Sequence, residues 1–408
     1  MQCGLLGRRL GHSYSTQIHG MLGDYAYPMF EREPEDLASF LKEGDFTGLN
    51  VTIPYKKDVI PYLDDLSDTA RKIGSVNTIV RRADGTLFGH NSDYFGFVSL
   101  VRHSGIPVSG RKVLVLGSGG TSRMVVTALK DLGAAPVVIS RSGENNYDNL
   151  HLQADASVIV NTTPVGMYPN TGVCPVDLHR FPKLEGVLDV IYNPGKTQLL
   201  LDAQALGIPH ENGLWMLVAQ AKEASEYFTG RKLPDDSIGK IHHALSHQMK
   251  NIVLIGMPGC GKSTIGLLLA QRLGRKFVDA DEEIIRLAGK SIPEMFAQDG
   301  ETAFRRWETT ALEDLGKQSG LVIATGGGCV TQKRNYPALH QNGNLVWLER
   351  ALSLLPTDGR PLSQANRLEE MYTVRKPMYA SFADVRVENA GSPEETVTEI
   401  LSKLEELP

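Results

Sequence analysis

The chain has 408 residues, 22% of them charged, and a formal net charge of −5. That length exceeds one ordinary hydrophobic core and predicts two or three domains, while the acidic balance without a basic block excludes nucleic acid or an anionic membrane as the main partner. Cys3, Cys174, Cys260 and Cys329 are scattered without a C-x-x-C pair, the start carries no apolar leader, and no window is long enough to span a membrane, so a cytoplasmic protein without structural zinc is expected.

Residues 1–96 alternate short apolar runs with helical patterns: strands over 2–7, 27–31 and 48–54, helices over 15–25, 34–43 and from 67, then strands over 76–81 and 87–89 joined by the turn Ala83-Asp-Gly85. Such alternation predicts an open α/β sheet. The region is dense in Ser13, Ser15, Asn50, Thr52, Lys56, Asn77, Asn91 and Asp93; taken singly, most are residue types that form turns and caps as readily as they bind ligands.

Residues 111–116 read as a strand, Gly117-Ser-Gly-Gly-Thr-Ser122 as a glycine turn, 124–132 as a helix and 136–140 as a second strand. This is a β-α-β unit with a dinucleotide-type turn, Ser122 replacing the third glycine of G-x-G-x-x-G. The second strand ends in Ser140-Arg141-Ser142 and not in an acid. An arginine with hydroxyls suits a ribose 2′-phosphate, hence NADP over NAD; an exposed loop charge is the alternative for Arg141. Strands over 156–161 and 186–191 follow, then helices over 198–206, 212–230 and 235–249. His242, His243 and His247 on the last helix lack a carboxylate or cysteine cluster and are expected to face solvent.

Residues 251–255 read as a buried parallel strand and 265–273 as an amphipathic helix, with Gly256-Met-Pro-Gly-Cys-Gly-Lys262-Ser263-Thr264 between them. Strand, glycine loop and helix make the setting of a P-loop. The loop and helix start, Gly259 to Thr264, present backbone amides and a positive helix end to phosphate oxygens. Lys262 reaches the outer phosphates and Ser263 suits Mg²⁺, so ATP and Mg²⁺ are the expected ligands. Asp279 and Asp281, two residues apart at the next strand end, face the same mouth of the sheet; capping the following helix is the alternative.

With these motifs in hand, residues 1–249 resemble a shikimate dehydrogenase. The matching segments are Gly11-His-Ser-Tyr-Ser15, Gly48-Leu-Asn-Val-Thr-Ile-Pro-Tyr-Lys56, Gly74-Ser-Val-Asn-Thr78, Gly89-His-Asn-Ser-Asp93, Gly117-Ser-Gly-Gly120, Asn161-Thr-Thr-Pro-Val-Gly-Met167 and Asp189-Val-Ile-Tyr-Asn-Pro194. The resemblance implies NADPH-linked reduction of 3-dehydroshikimate to shikimate, a substrate lobe (1–97 and 211–249) and a Rossmann NADP-binding lobe (98–210). It makes Lys56 the proton donor and Asp93 its orienting partner. Ser13 and Ser15 would hold the substrate carboxylate, and Thr52, Asn77, Asn91, Tyr192 and Gln220 the ring and its hydroxyls. Gly117, Gly119, Gly120 and Thr121 would face pyrophosphate, Ser140, Arg141 and Ser142 the 2′-phosphate, and Thr163 and Gly213 the path to the nicotinamide. The chain departs from the family pattern at Thr16, where Pro is usual, at Ser92, where Thr is usual, and in the short stretch 143–155.

Residues 250–408 resemble a shikimate kinase, a P-loop NTPase-type parallel α/β domain. Beyond the P-loop, the matches are Phe277-Val-Asp279-Ala-Asp281, Gly300-Glu-Thr-Ala-Phe-Arg305-Arg-Trp-Glu308, Ile323-Ala-Thr-Gly326-Gly-Gly328, Arg360-Pro-Leu and Arg375-Lys-Pro-Met-Tyr379. The resemblance implies Asp279 near Mg²⁺, Asp281 on the acceptor hydroxyl, and Arg305 and Arg375 on the substrate carboxylate. Glu308 would brace Arg305, Gly327 and Gly328 would meet substrate hydroxyls, and Arg360 would come from a lid. A bifunctional enzyme handling small molecules, as a monomer or homodimer, is the expectation. The alternatives are a quinate-type dehydrogenase joined to another small-molecule kinase, or one half serving as a regulatory ligand-binding module.

Overall fold

The computed structural model describes residues 1–11, 13–355 and 365–407. They form two compact units: Met1–Val165, Cys174–Tyr192 and Asp202–Ser246 in the first, Gly166–Val173, Asn193–Leu201 and His247–Pro408 in the second.

The first unit holds two sheets. Strands β1 (Cys3–Gly7), β2 (Met29–Glu31), β3 (Gly48–Val51), β4 (Asp65–Leu66), β5 (Thr78–Arg81) and β6 (Leu87–His90) take the order β2-β1-β3-β5-β6-β4. β1 pairs in parallel with β2 and β3, but β3, β5 and β6 run antiparallel. The sheet is therefore mixed, because the tight turn at Gly85, with φ of +86°, returns β6 directly against β5. The expected helix over 34–43 divides into a 3-10 turn, Pro34–Asp36, and an α-helix, Leu37–Glu43.

The second sheet comprises β7 (Lys112–Leu116), β8 (Ala135–Ile139), β9 (Val158–Asn161), β10 (Gly186–Asp189) and β11 (His210–Glu211), all parallel, in the order β11-β10-β9-β7-β8. Val113, Leu114, Val115 and Leu116 are fully buried, as a strand covered on both faces requires. Strand order reverses at β7, so the glycine turn after it opens at a topological switch point. The short stretch 143–155 forms only a 3-10 turn, Leu150–Gln153. Asn146 Oδ1 accepts from the backbone of Asp148 and Asn149, and Asn149 Oδ1 accepts from Asn146 N–H. Side chains satisfying the local backbone in this way compete with a helix.

The helices Ser92–Ser104 and Leu214–Thr229 cross closely at Gly96, where a Cβ would stand 2.7 Å from Met216 O and 3.0 Å from Gln220 Cβ. Glycine there brings the first turn of one helix, with Asp93, beside Gln220 on the other. On the helix Ser237–Met249, His243 is exposed, but the His242 ring lies 5.3 Å from the Trp215 ring. The expectation of solvent-facing histidines thus fails for His242, because the apolar rim of an imidazole packs well on an indole face.

The second unit has one parallel sheet of β12 (Asn251–Ile255), β13 (Lys276–Asp279), β14 (Leu321–Ala324), β15 (Gly343–Glu349) and β16 (Val385–Glu388), in the order β13-β14-β12-β15-β16. Its core joins Val253 and Leu254 to Ile323, Val346, Ile265, Leu269 and Leu312. Order reverses at β12, which puts the P-loop at the second switch point. Among the described residues no helix is long and apolar enough to cross a membrane.

Candidate active sites

In the first unit, a cavity of about 160 Å³ is lined by Ser15, Thr52, Lys56, Asn77, Asp93, Tyr192, Gly213 and Gln220, all expected at the site. Lys56 Nζ donates to Asp93 Oδ2 at 2.6 Å, with side chains 29% and 19% exposed. Such a charge-assisted bond fixes a mobile ammonium. Asp93 occupies the first turn of its helix, where the positive helix end favours a carboxylate. The backbone of Lys56 is held too, Val76 N–H donating to Lys56 O at 2.8 Å. Burial pushes the Tyr192 phenol up, with Tyr14 adding to the effect, so Tyr192 presents a neutral hydroxyl. At Gly213 a Cβ would stand 2.1 Å from Val190 O; only glycine lets the chain pass.

Ser13 and Asn91 are not among the residues lining this cavity, and Asn50 is. Ser13 Oγ accepts from Ser15 N–H at 3.2 Å and so shapes the loop that carries Ser15. Asn91 is committed to structure: Oδ1 caps the Ser92–Ser104 helix through Tyr94 N–H and Nδ2 donates to Ser75 O. Asn50 takes a place at the cavity instead, its Oδ1 accepting from the buried Tyr27 hydroxyl at 2.6 Å. Tyr27 stacks on His19 at 3.9 Å between ring centroids. Burial pushes the His19 imidazole down to about 3, so it is a neutral wall.

On the dinucleotide side, Gly119 and Gly120 lie at the start of the helix Gly120–Asp131, and a Cβ on either would meet nothing within 4 Å. Open space above a twelve-residue helix start fits a pyrophosphate. Gly117 has φ of +104° and close neighbours in Thr162 and Thr163. Thr121 is half-buried on the first turn, and Arg141 and Ser142 are exposed past the end of β8. Arg141 makes no ion pair among the described residues. Ser140 Oγ is turned toward Gly143, and Thr163 Oγ1 donates to Asn161 Oδ1 at 2.7 Å. These features fit NADP, exposed Arg141 standing past the end of β8, where an extra phosphate would meet a cation.

In the second unit, Gly259 and Gly261 have φ of +81° and +100°, a conformation glycine adopts without strain. Buried Lys262 heads the helix Lys262–Leu273, and its Nζ donates to Gly256 O at 2.9 Å and Met257 O at 3.0 Å. Cys260 is buried within the loop and its carbonyl accepts from Asn389 Nδ2 at 2.8 Å. Exposed Thr264 follows Ser263. Ser263 Oγ donates to Asp279 Oδ2 at 2.8 Å, while Asp279 Oδ1 accepts from Asp281 N–H at 3.0 Å. Asp279 is therefore both helix cap and partner of Ser263. A hydroxyl and carboxylate together fit Mg²⁺, which keeps most of its shell for water and phosphate.

The acceptor side closes around the triple-glycine turn. A Cβ on Gly326 would stand 2.9 Å from Asp281 Oδ1 and 3.2 Å from Glu308 Oε1; on Gly327, 2.6 Å from Pro258 Cδ; on Gly328, 2.3 Å from Arg305 Nη1. One turn of bare backbone thus meets the P-loop, Asp281 and the arginine at once. Arg305 Nη1 donates to Glu308 Oε2 at 2.9 Å and Nη2 to Glu301 Oε1 at 3.1 Å. Burial pushes the Glu308 carboxyl up, Arg305 opposes it, and Asp281 adds to the rise. Arg375 Nη1 and the Tyr379 hydroxyl both donate to Gly327 O, at 3.1 and 2.5 Å. Glu301 and Tyr379 stand inside the matched motifs without a role assigned to them, and both support the site; Glu301–Arg305 and Arg375–Tyr379 both show the i, i+4 spacing of helix neighbours. Arg360 lies outside the described residues.

The family model "Shikimate dehydrogenase substrate binding domain" matches residues 5–79, and "Shikimate kinase" matches 258–405. The chain is 34% identical over 268 residues to the shikimate dehydrogenase (NADP(+)) of Clostridium beijerinckii, covering 60% of this chain and 98% of that relative. It is 37% identical over 260 residues to the same enzyme of Thermosynechococcus vestitus, covering 57% and 91%. Among solved structures, it resembles a chorismate mutase/shikimate 5-dehydrogenase fusion from Clostridium acetobutylicum at 36% identity and TM-score 0.57, over 60% of this chain and 96% of that one. A quinate dehydrogenase from Corynebacterium glutamicum in complex with NAD matches at 28% and 0.55, over 60% and 98%. With the lysine–aspartate cavity in one unit and the P-loop facing the triple-glycine turn in the other, these matches make the chain a member of the shikimate dehydrogenase family that continues into a shikimate kinase domain.

Proposed function

We propose that the chain is a bifunctional enzyme: residues 1–249 reduce 3-dehydroshikimate to shikimate with NADPH, and residues 250–408 phosphorylate shikimate with Mg·ATP to shikimate 3-phosphate. The observation that carries this is the Lys56–Asp93 pair, set in a cavity whose other polar lining is neutral amides and hydroxyls. Bound NADPH supplies hydride and bound Mg·ATP the phosphoryl group. Lys56 Nζ gives a proton to the ketone oxygen as negative charge grows there, and Asp93 keeps that ammonium aimed. Asn50, Thr52, Asn77 and Gln220 match ring hydroxyls, a matched polar site discriminating strongly against analogues. In the kinase half, Asp281 orients the acceptor hydroxyl, Ser263 and Asp279 hold Mg²⁺, and Lys262 meets phosphate charge. Arg305 takes the substrate carboxylate by exchanging it for Glu301, which is 66% exposed and released at little cost.

A one-pot assay with 3-dehydroshikimate, NADPH and Mg·ATP tests the proposal. NADPH loss and ADP release should appear together, and ADP release should require NADPH. ADP release without NADPH, or NADPH loss without ADP, would refute it. The similarity to a quinate dehydrogenase bound to NAD gives a second reading of the first half. Steady-state oxidation of shikimate against quinate, each with NADP⁺ and NAD⁺, separates the two.

Gly328 yields a sharper expectation. An alanine methyl would force the Arg305 guanidinium aside. Displacing one charge-assisted contact costs about 1.5–3 kcal/mol, so Gly328→Ala should raise the KM for shikimate by roughly 10–100-fold and leave the KM for ATP unchanged, as initial-rate kinetics would read.

A further inference from the structure

We propose that Ser92 is a positioning residue, whose hydroxyl turns the amides of Asn77 and Gln220 so that each aims one N–H into the dehydrogenase cavity, thereby setting affinity for the oxygen-rich ring. This rests on the proposed dehydrogenase function and adds to it a residue that touches no ligand.

Ser92 is fully buried, so no water substitutes for its hydroxyl. Its Oγ lies 3.1 Å from Asn77 Nδ2, 3.0 Å from Thr78 Oγ1 and 3.4 Å from Gln220 Oε1. Asn77 Oδ1 already accepts from Ser92 N–H at 2.7 Å and from the Thr78 hydroxyl at 3.1 Å. Ser92 Oγ also lies 3.2 Å from Asn77 Oδ1, but that oxygen already holds two donors, so the assignment that gives every group a partner has Thr78 donating to Asn77 Oδ1, Asn77 Nδ2 donating to Ser92 Oγ, and Ser92 donating to Gln220 Oε1. Gln220 Nε2 spends one hydrogen on Leu217 O at 2.9 Å. Each amide is left with one N–H, and both side chains line the cavity. The pocket therefore offers two donors, which suit carboxylate, carbonyl or hydroxyl oxygens.

Substitution can isolate the hydroxyl. Ser92→Ala keeps the backbone N–H on Asn77 Oδ1 and removes the oxygen that meets Asn77 Nδ2, Gln220 Oε1 and the Thr78 hydroxyl. Weakening two donors should raise the KM for 3-dehydroshikimate about tenfold, with the KM for NADPH unchanged and kcat much less affected. Ser92→Thr keeps the hydroxyl and should restore the KM. A purely structural role would lower the melting temperature in Ser92→Ala but leave the KM in place. Should the alanine variant not fold, Ser92→Cys fills the space with a weak hydrogen-bonding group and should raise the KM likewise. A KM within about twofold of the unaltered chain in the folded Ala or Cys variant, less than 0.5 kcal/mol, overturns the inference, as does a Thr variant as impaired as Ala. If the unaltered chain does not reduce 3-dehydroshikimate at all, the proposed function falls first, and the two failures are told apart.

Discussion

Lys56→Ala is expected to slow reduction of 3-dehydroshikimate by about 10²–10⁴-fold, the usual contribution of a positioned acid, while phosphorylation of added shikimate proceeds at the unaltered rate. Hydride arriving at a ketone leaves an alkoxide, and the cavity offers one ammonium to quench it. Asp93 cannot replace it, because a carboxylate beside a developing oxyanion raises the barrier. The substitution also strips Asp93 of its 2.6 Å partner, leaving a half-buried carboxylate facing the ring. The KM should therefore rise along with the fall in kcat. Lys56→Arg separates the effects: it keeps the charge pair but holds its proton too tightly to serve as acid, so binding should recover and turnover should not. ADP release from Mg·ATP on addition of shikimate, measured on the same preparation, reports that the chain is folded. Reduction within tenfold of the unaltered rate in Lys56→Ala would remove the lysine from the chemistry.

Parts of both sites are legible in the chain itself. The P-loop and the dinucleotide turn stand out because glycine is needed where φ is positive, as at Gly117, Gly259 and Gly261, and apolar strands flank them. The Lys56–Asp93 pair is not visible in the same way. Its members lie 37 positions apart, and only the pairing of β3 with β5 and of β5 with β6 brings them together. The asparagines show the limit well. Asn50 and Asn91 look alike in the sequence, yet Asn50 sits on β3 beside the cavity while Asn91 precedes Ser-Asp at a helix start. That position is a strong N-cap site, and it was a readable signal that the Asn91 carbonyl oxygen is spent on the helix. Asn389 carried no local signal, since its bond to Cys260 O spans 129 positions. In the first sheet the turn at Ala83-Asp-Gly85 announces the antiparallel β5–β6 pair, whereas the antiparallel pairing of β5 with β3 was hidden, because alternation of apolar and helical runs tells layers apart but not strand direction.

Lys262→Met is expected to cut phosphoryl transfer by about 10²–10³-fold, the scale for losing one preorganised charge-stabilising donor, with dehydrogenase turnover intact. Methionine fits the test because it keeps an unbranched stem in a buried channel, so packing changes little and charge changes fully. The ammonium is held before any nucleotide arrives, bonded to the carbonyls of Gly256 and Met257, which spares the reaction the cost of gathering it. Those two carbonyls lose a donor in the variant, and about 1–3 kcal/mol of stability should go with them; a thermal melt monitored alongside the rate reads this. Asp279→Asn divides the second half of the machinery. Asparagine caps a helix as well as aspartate does, so the turn into Ala280–Ala288 should survive, while the carboxylate facing Ser263 is lost. The variant should need more Mg²⁺ for half-maximal rate at an unchanged melting temperature. A Lys262→Met chain that still releases ADP from ATP at the original rate when shikimate is added would show that phosphate charge is met elsewhere, and the kinase site would have to be sought away from this loop.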